Sequence, residues 1–223
     1  MSFVGALRPF AARERAQADA AARCELCGAS IAERHRHVVE TSAAERRGRG
    51  LLCACPACAT LFSDPGASGA RFRAVPTRVL FDPRSPLSDA RWASLGVPVG
   101  LAFVARDSTR ERWSALYPSP AGPVEAPVED EAFQALAAAV PLARHVRADV
   151  EALVVRRDRA GRFECFVAPI DECFSLVGAV RARWRGFDGG DEARAAIDAF
   201  FDGWSARAEA IDRDGADRDG GEP

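Results

Sequence analysis

The sequence predicts an α+β protein in which a small cysteine-rich module precedes a larger domain with an antiparallel sheet and flanking helices. Three observations support this division. Five of the seven cysteines fall between residues 24 and 58. The segment 63–70 (SDPGASGA) has the composition of a linker. Short alternating apolar segments and helical patterns then mix as far as residue 209, as in α+β domains.

Composition and charge describe an ordinary globular chain. With 223 residues, 48% of them hydrophobic and 28% charged, it has room for a small module beside one sizeable core. The 30 basic residues are all arginine, and the net charge is −2 with both signs interspersed. This argues against a nucleic-acid binder, which needs a concentrated basic surface. Because no apolar run reaches a membrane-spanning ~18 residues and no secretory signal is evident, we expect a cytoplasmic protein without a membrane span.

The first part of the chain is expected to consist of an arm and a module. Residues 1–22 read as a helix or a loosely ordered arm, and residues 23–62 as the four-cysteine module. Its halves are joined by the polar loop 41–50. About 40 residues bury too little surface to fold alone, so a bound metal would have to stabilise them.

The strongest functional signal is a pair of Cys-x-x-Cys motifs. Two such motifs, each on a tight turn, are typical of zinc-ribbon or rubredoxin-like modules, because facing turns direct four thiolates to one point. Gly28 after the first motif lets backbone amides turn toward the sulfur atoms. The predicted ligands of a single tetrahedral ion are Cys24, Cys27, Cys55 and Cys58.

Three other residues of the same window are candidates for additional ligands or for groups that support the ligands. Cys53 would point the same way as Cys55 on a strand, so it is either an alternative to Cys55 or a neighbouring buried thiol. His35 and His37 would share one strand face. They are candidates for a mixed Cys/His site or for the second metal of a binuclear one, although a supporting or surface position is preferred.

The identity of the ion stays open between zinc and iron, since four thiolates bind either. Two departures from the rubredoxin pattern favour zinc in a structural role. Ala59 stands where a second glycine would follow the second motif, and no Phe, Tyr or Trp lies between residues 28 and 54.

Residues 71–209 are predicted to form the α+β domain, with its helices on one side of the sheet, and residues 210–223 a disordered tail. The segment 174–184 is interpreted as a half-buried strand. Every second residue there is apolar or small, and the residues between them would form a face lined by arginine. The other strands are expected at 71–81 (an edge strand), 99–105, 113–117, 152–156 and 163–168, and the helices at 88–95, 130–140 and 191–209.

No catalytic constellation is evident, so we do not expect an enzyme. Cys173 follows Asp171 closely, but a nucleophilic thiol needs a base and an electropositive setting, and His145 is the only histidine left to supply the base. Aromatic side chains beside forced turns suggest instead a surface for a partner or a ligand. The candidates are Tyr117, Trp184 and Arg185.

Several specific segments carry a resemblance that covers about residues 20–205. They are CELC (24–27), HRHVVE (35–40), LLCACPAC (51–58), LGVPVGLAF (95–103), YPSPAG (117–122), DVEALVVRR (149–157), PIDEC (169–173) and LVGAVRARWRG with the following DGG (176–190). Through them the chain resembles an actinobacterial-type family of cysteine-knuckle proteins encoded beside high-affinity nickel–iron hydrogenases, whose function is not established. The resemblance implies an accessory protein that contacts a hydrogenase subunit or a maturation factor.

Three functions are therefore under consideration. The leading one is a non-enzymatic, metal-binding accessory protein for the assembly or maturation of a nickel–iron hydrogenase. The alternative is a one-electron carrier with a mononuclear iron held by four thiolates. A nucleic-acid-binding zinc ribbon is the weaker third, because the charge balance disfavours it.

Overall fold

The computed structural model describes residues 22–41, 50–69, 71–84, 87–97, 99–119, 122–158, 160–186 and 189–211. Its architecture is α+β, as predicted. The predicted arm (1–22) and tail (210–223) lie almost wholly outside these residues, as do residues 42–49 of the predicted loop, although Ala210 ends a short strand. In the described part of the chain, no helix has the length and apolarity needed to cross a membrane.

A three-stranded antiparallel sheet forms the cysteine-rich part of the chain. Its strands are β1 (Arg36–Glu40), β2 (Gly50–Ala54) and β3 (Phe72–Ala74), with β1 in the centre. The short helix α1 (Pro56–Leu61) follows β2, and a 3-10 turn (Pro65–Ser68) occupies the predicted linker. Because β3 pairs with β1, the third strand of this sheet comes from beyond that linker.

The larger sheet has seven strands, and neighbouring strands run antiparallel except for one parallel pair at the edge. The strands are β4 (Leu80–Phe81), β5 (Leu101–Asp107), β6 (Arg112–Ser119), β7 (Gly122–Val128), β8 (Glu151–Arg157), β9 (Phe163–Pro169) and β10 (Glu209–Ala210). Their order across the sheet is β10-β4-β9-β8-β5-β6-β7, with β10 parallel to β4. The predicted strands at 99–105, 113–117, 152–156 and 163–168 correspond to β5, β6, β8 and β9.

Helices cover both faces of the larger sheet. They are α2 (Asp89–Ser94), α3 (Asp130–Ala139), α4 (Ile170–Arg183) and α5 (Gly190–Ser205). Helices α4 and α5 pack on the face that carries Phe103 and Val154, and α2 and α3 on the face that carries Val104 and Leu153. The prediction of helices on one side is wrong, because successive residues of the central strands point to opposite faces and are apolar on both.

The predicted strand at 174–184 is a helix. The buried residues of α4 recur at helical spacing, and they include Val177, which an alternating strand would place on the same face as Arg181 and Arg183. Acidic residues stand in the first turn of α4 and Arg181 and Arg183 in its last, as the helix dipole favours. The apolar residues that suggested a strand instead form one apolar stripe along the helix.

Residues 117–119 end β6 and residues 122 and 123 begin β7, a strand that the sequence did not suggest. Two of the seven residues of β7 are proline, which argues against a strand in the middle of a sheet. However, β7 lies at the edge of the larger sheet, where a missing N–H group does not interrupt a ladder.

The small sheet is packed against the larger domain. Val39 of β1 is 2% exposed and belongs to the core that α4 covers, and Leu51 of β2 packs against the same core. Thr109, in the β5–β6 turn, donates a hydrogen bond from Oγ1 to the carbonyl oxygen of Thr41 (2.7 Å). The cysteine-rich part is therefore fixed to the sheet by both apolar and polar contacts.

Candidate metal centre

The first cysteine pair lies on a tight turn before β1. The Cys24 amide donates to the Ala29 carbonyl and the Gly28 amide to the Cys24 carbonyl, both at 2.8 Å. Gly28 has a φ of +78°. Residues with a Cβ atom are disfavoured in this left-handed region, so glycine is the residue suited to this point of the turn. Cys24 is buried and Cys27 is exposed.

The second cysteine pair lies at the start of α1 and not on a second turn of the first kind. Cys55 is the residue that caps the helix N-terminus, Pro56 is at its first position, and the Cys58 amide donates to Cys55 Sγ at 3.5 Å. Ala59 follows in the helix and is 2% exposed. An alanine therefore stands where the symmetric pattern has glycine, because this position is helical and packed.

The four predicted ligands come together as expected. The sulfur atoms of Cys24, Cys27, Cys55 and Cys58 all lie within 4.8 Å of one another. The sulfur atoms of Cys27 and Cys55 are 3.7 Å apart. A tetrahedron with metal–sulfur bonds of about 2.3 Å has edges of about 3.8 Å, so the cluster fits one zinc-sized ion held by thiolates.

The thiols of this cluster differ in acidity. Burial raises the pKa of Cys24, but hydrogen bonds from backbone amides, that of Cys55 foremost, outweigh burial and lower it from 9.0 to about 6. Burial and hydrogen bonds with the neighbouring thiols raise the pKa of Cys58 to about 12. The Ala29 amide lowers the pKa of Cys27, yet the adjacent thiols leave it above 9.0. Of these three thiols, Cys24 is therefore the one most readily deprotonated.

Cys53 lies outside the four-sulfur cluster, at the end of β2. Its amide donates to Glu25 Oε2 at 2.6 Å, and the Glu25 amide donates to the Cys53 carbonyl at 2.9 Å. Burial, followed by the Glu25 carboxylate, raises the pKa of Cys53. Between the two alternatives left open by the sequence, Cys55 is the one that completes the four-sulfur cluster.

His35 and His37 do not join the four cysteines either. They share one face at the start of β1, as predicted, with ring centroids 4.8 Å apart. Each offers a nitrogen atom within 4.8 Å of the other's and of Cys53 Sγ. His37 Nδ1 also lies 2.7 Å from Asp171 Oδ2 at the start of α4. No pattern in the sequence predicted this last contact, because the two residues are 134 positions apart.

The three residues predicted as a partner or ligand surface are not brought together. Tyr117 packs against the sheet face covered by α2 and α3, whereas Trp184 packs against the face covered by α4 and α5. Trp184 lines a cavity of about 490 Å³ together with Arg156 and Ile197. The exposed Arg185 makes a backbone hydrogen bond to Gly189. Tyr117 therefore belongs to a different surface.

A family model described as a family of unknown function (DUF5947) matches residues 23–208. The matched stretch begins just before Cys24 and includes all seven cysteines and the three histidines. Neither a curated protein nor a solved structure matches the chain.

Proposed function

The chain belongs to this family of unknown function, and from its four-cysteine cluster we propose that it is a non-enzymatic, metal-binding accessory protein. A single ion held by Cys24, Cys27, Cys55 and Cys58 would fix the fold of the small sheet. The observation that carries the proposal is the convergence of four sulfur atoms within 4.8 Å from two separate stretches of chain.

The small size of the apolar cluster around the cysteines supports a stabilising role for the ion. Apart from Cys24 and Cys55, the buried residues of this cluster are Val38, Ala54 and Ala59. So few apolar side chains offset only a small part of the entropy of ordering the segment. Structural zinc in comparable peptides contributes on the order of 10 kcal/mol. The ion would thus be the main source of local stability.

For the biological role, we propose that the protein supports the assembly or maturation of a nickel–iron hydrogenase in the cytoplasm. Support comes from the segments in which the sequence resembles proteins encoded beside such hydrogenases. They include both cysteine motifs and the PIDEC segment (169–173), which contains the Asp171 that contacts His37. In this role the ordered small sheet would be a surface for a hydrogenase subunit or a maturation factor.

A complementation experiment tests this role. Deleting the gene in a strain with such a hydrogenase should lower hydrogenase activity, and the unaltered chain should restore it. The double variant Cys24→Ser, Cys58→Ser should fail to restore it. The matched control is Cys165→Ala, Cys173→Ala, which removes two buried thiols outside the cluster. Full hydrogenase activity in the deletion strain would refute the accessory role.

One-electron transfer is the second candidate, and the exposure of Cys27 favours it. A thiolate at the surface brings an iron centre within reach of a redox partner, and the N–H···S hydrogen bonds of the cluster would tune its potential. Protein purified from iron-replete cells should then be red and should bleach on reduction. A colourless protein with zinc in the four-cysteine cluster would exclude electron transfer and favour the structural role of the ion.

A further inference from the structure

The half-buried residues His35, His37 and Cys53 form a second cluster on one face of the small sheet, where β1 pairs with β2. His37 and Cys53 are directly opposed in the β1–β2 register, and His35 lies two residues before His37. One nitrogen atom of each imidazole and the sulfur atom lie within 4.8 Å of one another. Three good ligands for a transition metal therefore converge, separately from the four cysteines.

His35 presents an unsatisfied nitrogen atom. Its Nδ1 lies 2.9 Å from the Ala32 carbonyl oxygen and 3.0 Å from that of Glu33. Because a carbonyl oxygen only accepts, Nδ1 carries the proton. In a neutral imidazole, Nε2 then has a free lone pair. This Nε2 is buried and has no hydrogen-bond partner within the described ranges. Such an atom is costly unless a ligand binds it.

His37 is oriented in the same sense by a carboxylate. Its Nδ1 donates to Asp171 Oδ2 at 2.7 Å, while the other carboxylate oxygen, Oδ1, accepts from the Glu172 amide at 2.8 Å. This leaves Nε2 of His37 available. Metal-bound histidines typically donate their other ring N–H to a carboxylate or a backbone carbonyl, and the two histidines here have one partner of each kind.

We propose that His35 Nε2, His37 Nε2 and Cys53 Sγ bind a second metal ion, a divalent transition metal such as Zn²⁺, with a fourth position left to water or to a ligand from outside. Two imidazoles and one thiolate suit ions of intermediate softness. Three protein ligands and an open position distinguish the site from the closed four-thiolate centre. The ion should therefore exchange more readily than the first.

The second site lies where the small sheet contacts the larger domain, so metal binding there should affect this contact. His35 and His37 come from the small sheet, whereas Asp171 comes from the first turn of α4 in the larger domain. An ion bound to His37 strengthens its hydrogen bond to Asp171, because coordination makes the Nδ1–H group more acidic. Occupancy of the second site should tighten the contact between the small sheet and α4.

Titration of the full chain with Co²⁺ tests the proposal, since thiolate-to-cobalt absorption reports each site. After removal of metals under reducing conditions, the chain should bind two Co²⁺ ions, and a chelator should remove one of them first. His35→Ala and Cys53→Ser should each bind one ion and keep the absorption of the four-thiolate centre. Asp171→Asn should lower the affinity for the second ion by about 10- to 100-fold.

His145→Ala is the matched control, because His145 is exposed and lies outside both clusters; it should bind two ions. A chain whose single ion is retained by His35→Ala, or a His35→Ala variant that binds two ions with unchanged affinity, would overturn the second site. Failure of the first site gives a different pattern. The variant Cys24→Ser, Cys58→Ser would then keep the stoichiometry of the unaltered chain, and its ion would depend on His35.

Discussion

At the scale of residues, backbone conformation aims the sulfur atoms of the four-cysteine cluster. Gly28 turns the first pair back in the left-handed region, and Cys55 caps α1 so that Cys58 in the first turn faces the same point. The hydrogen bonds around Cys24 stabilise its thiolate before any ion arrives. The positions of the four sulfur atoms therefore depend largely on local backbone conformation.

Substitution of Gly28 isolates the contribution of backbone conformation. No heavy atom lies within 4 Å of a Cβ built at Gly28, so Gly28→Ala adds no clash and only the cost of φ +78°, about 1–2 kcal/mol. Gly178→Ala is the control, because that position is exposed in helix α4 and equally open. It should stabilise by about 0.5–1 kcal/mol. Urea denaturation of the metal-loaded protein measures both; equal effects would contradict the assigned turn.

The acidity of the thiols predicts how the affinity for metal depends on pH. Between pH 7 and 8.5, Cys24 is already a thiolate, since its pKa is about 6, whereas Cys27 and Cys58, whose pKa values are raised, must release their protons on binding. The affinity should therefore rise with pH across this range. Competition with a chelator of known pH dependence measures the slope. A flat profile would show that these two thiols are not ligands.

At the scale of elements, helix α4 links the core of the larger domain to the small sheet. Its buried stripe covers one face of the seven-stranded sheet, and its first turn presents Asp171 to His37. As a strand, the same segment would direct residues 175 and 177 to one face. As a helix, it buries Val177 and exposes Ser175.

A pair of substitutions distinguishes these two conformations. Val177→Asp should destabilise the protein by about 3–5 kcal/mol, because it places an uncompensated carboxylate in the core. Ser175→Asp should change the free energy of unfolding by less than about 0.5 kcal/mol, as is usual for exposed positions. Urea denaturation provides both values. Similar effects at the two positions would contradict the helix.

At the scale of the whole molecule, a large apolar core stabilises the larger sheet, whereas we propose that a metal ion stabilises the small sheet. Both faces of the larger sheet are covered by helices, whereas the small sheet adds Val39 and Leu51 to one of them. The stability of the larger sheet should therefore survive loss of the ion, whereas that of the small sheet should not.

Proteolysis of the double variant Cys24→Ser, Cys58→Ser tests this division. It should lose the ion of the four-cysteine centre, and cleavage should appear within residues 22–69 while the larger sheet stays resistant. The control Cys165→Ala, Cys173→Ala should keep that ion and its protection. Mass spectrometry of the fragments locates the cuts. A double variant that resists digestion as the unaltered chain does would contradict a metal-dependent small sheet.

Local patterns predicted several features because their causes are local. The spacing of the cysteines and the glycine after the first motif predicted which four cysteines converge. The alternation of apolar residues predicted the strands β5, β6, β8 and β9. The helix at 130–140 was predicted from an acidic N-terminus and a following proline, and α3 lies there.

The sequence by itself determined the α+β class and which four cysteines come together, because each depends on residue types at fixed spacing along the chain. Only the tertiary structure decided that Cys53 joins His35 and His37, that α4 is a helix covering the sheet, and that Asp171 meets His37. These contacts join residues distant in sequence. The packing that brings α4 and the small sheet together buries apolar surface against one sheet, and no local pattern reports which surfaces will meet.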